Sequence, residues 1–217
     1  MSAHTATVSS RCDEVIAKYS LLRHAFYRRW TDGTLPVPAL KDYAREYGTF
    51  IRSIGRGWEA VGEPGIARVE DGHAEVWEST FADGLGTSVT APKVKEVADL
   101  VAVSRELFAQ RATAVGGLYA FEAQQPLIAQ AKLKGLREHY AQLPERCGEY
   151  FRLHSEGYDE PSLLADEMNA MSLGDQERAF AACERMCQAL SSALTGIHAP
   201  YAGHGDGSMQ LSSTGGA

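Results

Sequence analysis

Apolar residues along this chain recur at spacings of three and four positions, which is the period of an amphipathic α-helix. Within residues 11–30, Val15, Tyr19, Leu22 and Phe26 follow this spacing. Alternating runs of Val, Ile and Thr, which are typical of half-buried strands, do not occur in the sequence. The pattern therefore predicts an all-α protein.

Glycine and proline residues divide this pattern into about seven predicted helices. The first helix lies within 11–30 and ends at "TDGTLPVP" (31–38), and "GEPG" (62–65) forms a later turn. The other helices are predicted at about Pro38–Ala60, Ile66–Phe81, from Pro92, at about Val115–Tyr140, from Pro144 and from Pro161, with the last helix ending near Gly196. Pro126 falls inside one of them and predicts a kink there.

The overall charge limits the classes of partner. Lys and Arg number 21 and Asp and Glu number 28, which gives a net charge of −7. A mildly acidic surface disfavours nucleic acid and anionic membranes as partners, and no apolar run has the length of a membrane-spanning helix. The start "MSAHTATVSS" lacks the features of a signal peptide, so we expect a cytoplasmic protein. We predict one helical domain over 1–200 and a disordered Gly- and Ser-rich tail over 201–217.

The four cysteines do not predict a metal site. Cys183 and Cys187 share a helix face, while Cys12 and Cys147 lie far away in sequence. A zinc site would need two further ligands close to the first pair. We therefore expect buried, reduced thiols.

A first candidate for metal binding is "VEDGHAEVW" (69–77), in which Glu70 and His73 are three residues apart on one helix face. A Glu-x-x-His pair in a helical bundle supplies one oxygen and one nitrogen ligand to iron or manganese. The alternative is an exposed acidic turn with a chance histidine, and the spacing alone favours that alternative.

A second candidate is Glu122, which lies in the mostly apolar start of "GGLYAFEAQQPLIAQAKLKG" (116–135). A carboxylate on an apolar helix face is costly unless it is paired or bound to a cation. Lys132 follows later in the same segment. In the alternative interpretation, both side chains reach solvent along a polar edge of the helix.

A third candidate is "EYFRLHSEGYDEP" (149–161), in which a helix offers the imidazole of His154 to the interior. Tyr158 follows four residues later on the same face, whereas Asp159 lies about 140° away around a regular helix. A π-bulge would turn Asp159 inward as a metal ligand. The favoured alternative is that Asp159 caps the helix that Pro161 opens.

Five segments, taken together, resemble the haem-oxygenase-like di-metal oxidases, in particular the branch of the chlamydial protein associating with death domains and the para-aminobenzoate synthases. The segments are "HAFYRRWTDGTL", "LKDYAREYGTFI", "HAEVWESTFADGLG", "LYAFEAQQPLIAQAKLKGL" and "YFRLH". This resemblance implies a haem-oxygenase-like bundle of about seven helices. It also implies one or two ions of iron or manganese held between the helices.

The ligands that the resemblance implies are His73, Glu122 and His154, with Glu70 in place of the family's first glutamate and Asp159 as a further candidate. The family's last aspartate and histidine fall on Tyr158 and Pro161 of this chain. One ligand set is therefore missing or rebuilt, and we expect the second metal position to be weak.

The resemblance also implies a chemistry. Para-aminobenzoate synthases of this branch cut their product from their own tyrosine, and a lysine supplies the amino group. The tyrosine falls on Tyr27, the lysine on Lys132, and a second tyrosine near the site on Tyr43. Such a reaction takes O₂ as co-substrate and an external reductant, and it serves folate synthesis. Without the resemblance, ordinary core packing would explain both tyrosines.

Three further readings remain open. One is an oxygenase that uses the same centre on an external small molecule, and another is a metal-deficient family member that acts as an interaction protein. The thiaminase-II branch of the fold ranks last, because no cysteine lies in the helices that carry Glu70 and Glu122. A homodimer stays open as the assembly.

Overall fold

Helices make up all of the regular secondary structure in the computed structural model, which describes residues 7–156 and 159–203. No strand occurs within these residues, and the predicted all-α class is confirmed. The α-helices are α1 Val8–Lys18, α2 Ala25–Thr31, α3 Val37–Ile51, α4 Ile54–Val61, α5 Pro64–Val76, α6 Lys95–Leu107, α7 Arg111–Glu122, α8 Gln125–His139, α9 Glu149–Ser155, α10 Glu160–Ala170 and α11 Leu173–His198. The Gly- and Ser-rich tail that we predicted lies outside the described residues from 204 onward.

Several predicted helices are divided into two, which is why the structure has more helices than the sequence pattern indicated. The first one breaks before α2, where the His24 side chain accepts a hydrogen bond from the Phe26 backbone N–H at 3.1 Å. The kink predicted at Pro126 is instead a full break. Helix α7 ends at Glu122, and Pro126 lies in the first turn of α8, where its missing N–H costs little.

Helix α5 continues directly into a π-helical segment, Trp77–Ala82. A π-helical turn is wider than an α-helical turn and changes the phase of the side chains that follow. Two hydroxyl groups in this segment donate to backbone carbonyls one turn earlier, Ser79 Oγ to Glu75 at 2.7 Å and Thr80 Oγ1 to Val76 at 2.6 Å. The Trp77 indole N–H donates to the carbonyl of Ala44 at 2.9 Å and so anchors the segment to α3.

The longest helix, α11, packs mainly against α6 and α7. A Cβ at Gly116 of α7 would overlap the carbonyl oxygen of Ala179, so glycine permits the close approach of these two helices. On the other side of the molecule, α8 packs against α2 and α9. All four cysteines are buried and free, as expected from the sequence. Among the described helices, none is long and apolar enough to cross a membrane.

Candidate metal centre and tyrosine–lysine cluster

Helices α5 and α9 bring three potential metal ligands together. The ligand atoms of Glu70, His73 and His154 all lie within 4.8 Å of one another. His73 Nδ1 donates to Glu70 Oε1 at 3.0 Å, and the two imidazole rings have centroids 4.5 Å apart. Glu70 and His154 are buried, whereas His73 is partly exposed. We refer to these three residues as the Glu/His/His cluster.

The orientation of His154 is fixed by Tyr150, one turn earlier on α9. His154 Nδ1 donates to the Tyr150 carbonyl at 2.8 Å, and the two rings are stacked with centroids 4.2 Å apart. Burial lowers the pKa of His154 to about 4, so the imidazole is neutral at physiological pH. With Nδ1 protonated and committed to the carbonyl, the lone pair is on Nε2. This is the form in which histidine binds a metal ion.

The chemistry of these donors fits iron. Two imidazoles and one carboxylate form the ligand set that non-haem iron takes in many oxygenases. Nitrogen and oxygen ligands lie at roughly 2 Å from such an ion, so any two of them are at most about 4 Å apart. Because the three donors are already within 4.8 Å of one another, a small inward movement would place them around one ion.

Glu122 does not belong to this cluster, although it is buried at 2% exposure. Its Oε1 accepts a hydrogen bond from the Trp58 indole at 3.3 Å. The structure brings together three of the four expected ligands, and the place of Glu122 in the same coordination shell stays a prediction. Burial raises the pKa of the Tyr150 phenol well above its ordinary value, and the charges of Glu70 and Glu122 add to this effect.

The two competing residues after His154 are placed differently. Tyr158 lies outside the described residues. Asp159 is exposed and is not part of the Glu/His/His cluster. It holds the N-cap position of α10, but its side chain makes no capping hydrogen bond. The capping prediction is thus right about position and wrong about the bond, because Asp159 has helical backbone angles where an N-cap usually has extended ones.

A second cluster consists of Tyr27 on α2, Tyr43 on α3 and Lys132 on α8, and we refer to it as the tyrosine–lysine cluster. The hydroxyl groups of Tyr27 and Tyr43 are hydrogen-bonded at 2.9 Å, and Lys132 Nζ donates to the Tyr43 hydroxyl at 2.8 Å. Lys132 Nζ also lies over the face of the Tyr27 ring, 4.5 Å from its centroid. All three side chains are buried, with exposures of 4% or less. Tyr43 thus holds the phenol and the amine side by side.

The surroundings of Lys132 favour the neutral amine. Its nitrogen is enclosed by the aromatic rings of Tyr27, Trp30, Tyr43 and Phe151. No ion pair of Lys132 occurs in the described part of the chain, and burial lowers its pKa well below the ordinary value. A buried ammonium without a counter-charge is costly, and burial therefore favours release of the proton. The nitrogen then has a lone pair for reaction.

Two residues near both clusters were not identified from the sequence, Tyr150 and Trp77. The Trp77 ring lies 4.9 Å from that of Tyr150 and 5.5 Å from that of Tyr43, measured between centroids. The signal for Tyr150 was available, since it precedes His154 by four residues and so shares its helix face. The position of Trp77 depends on the π-helical segment that it opens, and periodicity does not predict such a segment.

A cavity of about 370 Å³ lies between α8 and the segment that leads into α9. Leu133, Arg137, Tyr140 and Arg152 are among its lining residues, and no residue of either cluster lines it. A molecule bound in this cavity would therefore not touch the clusters.

Comparison with known proteins adds to this geometry. A family described as iron-containing redox enzymes matches residues 58–190, which include the Glu/His/His cluster and Lys132 but not Tyr27 or Tyr43. A protein of Nitrosomonas europaea named 4-aminobenzoate synthase is 29% identical over 91% of this chain and 93% of its own length.

Solved structures also match nearly the whole chain. A TenA homologue from Pseudomonas syringae has a TM-score of 0.72 at 14% identity and covers 88% of this chain and 90% of its own. A domain from Shewanella denitrificans is described as having a haem-oxygenase-like fold. It has a TM-score of 0.68 at 16% identity and covers 89% of this chain and 90% of its own. These likenesses confirm the predicted haem-oxygenase-like fold.

Proposed function

The chain belongs to the haem-oxygenase-like family of iron-containing redox enzymes, and from that premise we propose that it forms 4-aminobenzoate from its own side chains. Tyr27 supplies the aromatic ring and Lys132 supplies the amino group. The Glu/His/His cluster holds iron or manganese, and O₂ and an external reductant drive the reaction. The name of the Nitrosomonas relative, 4-aminobenzoate synthase, supports this product.

The observation that carries the proposal is the buried contact of Tyr27, Tyr43 and Lys132. The ring and Cβ of a tyrosine match the carbon skeleton of 4-aminobenzoate, and the phenol oxygen stands where the product has its amino group. Lys132 Nζ is already 4.5 Å from the centre of that ring. Holding two reacting groups in contact removes much of the entropic cost of their reaction.

Each residue of the cluster has a separate task in this proposal. Tyr43 positions both reactants through its hydroxyl, which bonds to the Tyr27 hydroxyl and to Lys132 Nζ. Burial keeps Lys132 neutral and keeps water away from the oxidised ring. His154 and Glu70 would bind the iron ion, and the bound iron would supply the oxidation by O₂.

Complementation of a strain unable to make 4-aminobenzoate tests the proposal. Wild type should restore growth, and mass spectrometry of the used protein should show about one modified chain per product. Tyr27→Phe should fail, because a phenyl ring is much harder to oxidise than a phenol. Lys132→Arg should also fail, because a guanidinium keeps its proton. Tyr47→Phe, which removes a neighbouring buried hydroxyl, is the matched control and should restore growth.

The open alternatives give different results in the same experiment. An oxygenase that acts on an external substrate would give many turnovers with an unmodified chain, and Tyr27→Phe would retain activity. An interaction protein would bind no metal in elemental analysis and would not restore growth as wild type. Either outcome would overturn the proposal.

A further inference from the structure

The Glu/His/His cluster and the tyrosine–lysine cluster are separate groups of side chains, and Tyr150 lies between them. On one side, its ring stacks on His154 with centroids 4.2 Å apart and an angle of 27° between the planes. On the other side, its ring contacts Trp77 at 4.9 Å, and Trp77 contacts Tyr43 at 5.5 Å. Tyr43 in turn shares a hydrogen bond with Tyr27. An unbroken series of aromatic contacts thus joins a metal ligand to the phenol.

Tyr150 is enclosed between His154 and Trp77. Tyr150 is 2% exposed, so neither water nor a soluble reductant reaches it directly. Among the described residues, His73 and Tyr150 are the rings that contact His154, and Tyr150 is the one that also contacts Trp77.

We propose that Tyr150 is the relay residue that passes electrons from Tyr27 to the metal centre. This inference rests on the proposed function, because it assigns the route by which the ring of Tyr27 becomes oxidised. Tyrosine suits this task, since its phenol can lose and regain one electron within a protein. Phenylalanine at the same place would keep the stacking on His154 and lack that ability. Removal of the phenol oxygen alone therefore tests the proposal.

The electrons and protons of the step balance as follows. Overall, one electron leaves Tyr27 and reaches dioxygen, the terminal oxidant, by way of Tyr150, which ends with the electron and the proton that it had at the start. The phenol O–H of Tyr27 breaks as its electron leaves. Its proton moves to the Tyr43 oxygen while the Tyr43 proton moves to Lys132 Nζ, which requires the Tyr43 hydroxyl to turn from accepting the Lys132 N–H to donating to the amine lone pair. The net change is one oxidised Tyr27, one protonated Lys132, one dioxygen reduced by one electron and an unchanged Tyr150.

This balance fixes the order of events. A protonated amine has no lone pair, so Lys132 has to lose that proton before its nitrogen forms a bond to carbon. Burial favours the loss, because it disfavours the ammonium form. Oxidation of the phenol therefore precedes transfer of the amine.

Freeze-quench electron paramagnetic resonance of iron-loaded, reduced protein mixed with O₂ tests the relay. Wild type should give a tyrosyl signal that narrows when the protein contains ring-deuterated tyrosine. Tyr150→Phe should lose this signal and the 4-aminobenzoate product, while its iron content and thermal unfolding match wild type. Tyr47→Phe is the control, because the Tyr47 ring stacks on Tyr43 with centroids 4.8 Å apart, whereas the tyrosine that stacks on His154 is Tyr150. It should keep both signal and product.

Two outcomes would overturn the relay. One is a Tyr150→Phe protein that forms the radical and the product as wild type does, and the other is a Tyr47→Phe protein that loses as much as Tyr150→Phe. Failure of the proposed function looks different. In that case wild type releases no 4-aminobenzoate, while a tyrosyl signal that disappears in Tyr150→Phe still supports the relay.

Discussion

Replacement of Gly135 by alanine tests whether the contact between α2 and α8 sets the geometry of the reacting groups. Gly135 follows Lys132 by one turn of α8, and Trp30 follows Tyr27 by one turn of α2. The two helices meet where Gly135 faces Trp30, and a Cβ added there would lie 2.8 Å from Trp30 Cδ1 and 3.1 Å from the Trp30 carbonyl oxygen. The close approach of this pair therefore fixes the distance between Lys132 and Tyr27.

The size of the effect follows from these distances. Carbon atoms pack best at about 3.5–4.0 Å, so the new methyl group is roughly 1 Å too close to the indole. Trp30 is fully buried and its backbone oxygen is also near, so the helices have to separate. Overpacking of this kind costs about 1–3 kcal/mol of the free energy of unfolding. A displacement of ~1 Å between reacting groups lowers a rate by about 100-fold.

Urea unfolding and the yield of 4-aminobenzoate per chain, taken at a fixed early time before the reaction is complete, measure the two effects separately. Gly174→Ala is the matched control, because it lies in α11 and an added Cβ meets nothing within 4 Å. We expect the control to keep its product yield and its stability. A Gly135→Ala protein with unchanged stability and unchanged yield would refute the packing argument. Reduced stability with an unchanged yield would refute only its link to the reaction.

Two further substitutions are expected to change stability in defined ways. Burial lowers the pKa of Lys132 well below its ordinary value in the folded protein, so the unfolded chain binds more protons as the pH rises toward that ordinary value. The free energy of unfolding of metal-free protein therefore rises with pH in this range, by up to about 1.4 kcal/mol per unit. Lys132→Met should lose this rise and be more stable than wild type at pH 7; equal pH slopes in chemical denaturation would contradict it. Buried Glu46 accepts from the backbone N–H groups of Lys93 at 2.7 Å and Val94 at 3.0 Å, and so holds the start of α6. Glu46→Ala should cost about 1–3 kcal/mol in urea unfolding, whereas Glu106→Ala, which removes an exposed ion pair, should change little; similar losses in both would argue against this role.

The fold class was accessible from the sequence because helical periodicity depends on side chains close in the chain. Helix ends were harder to predict. The split before α2 depends on a cap by His24, which is not among the common N-cap residues. The π-helical segment after α5 depends on tertiary packing, since the Trp77 indole that opens it donates to the carbonyl of Ala44 on α3.

In the candidate site, too, some contacts follow from local spacing in the sequence and others depend on tertiary packing. The pairing of Glu70 with His73 follows from their spacing on one helix, whereas their meeting with His154 needs the packing of α5 against α9. The contact of Tyr27, Tyr43 and Lys132 joins three helices, and only the family resemblance pointed to it. Local periodicity does not carry this information, because no two of these residues are neighbours on one helix.

The burial of Tyr27 bears on the stability of the protein once the proposed reaction has removed its ring. The ring is surrounded by Phe26, Trp30 and Tyr43, with exposure of 2%. Under the proposed function, its removal leaves a void in the core, and loss of a buried aromatic side chain costs about 3–5 kcal/mol. Since whole domains are stable by only about 5–15 kcal/mol, the spent chain unfolds far more often. Under the proposed function, each molecule that delivers its product would thereby become a preferred substrate for cellular proteases, and the amino acids of the used enzyme would return to synthesis of a new one.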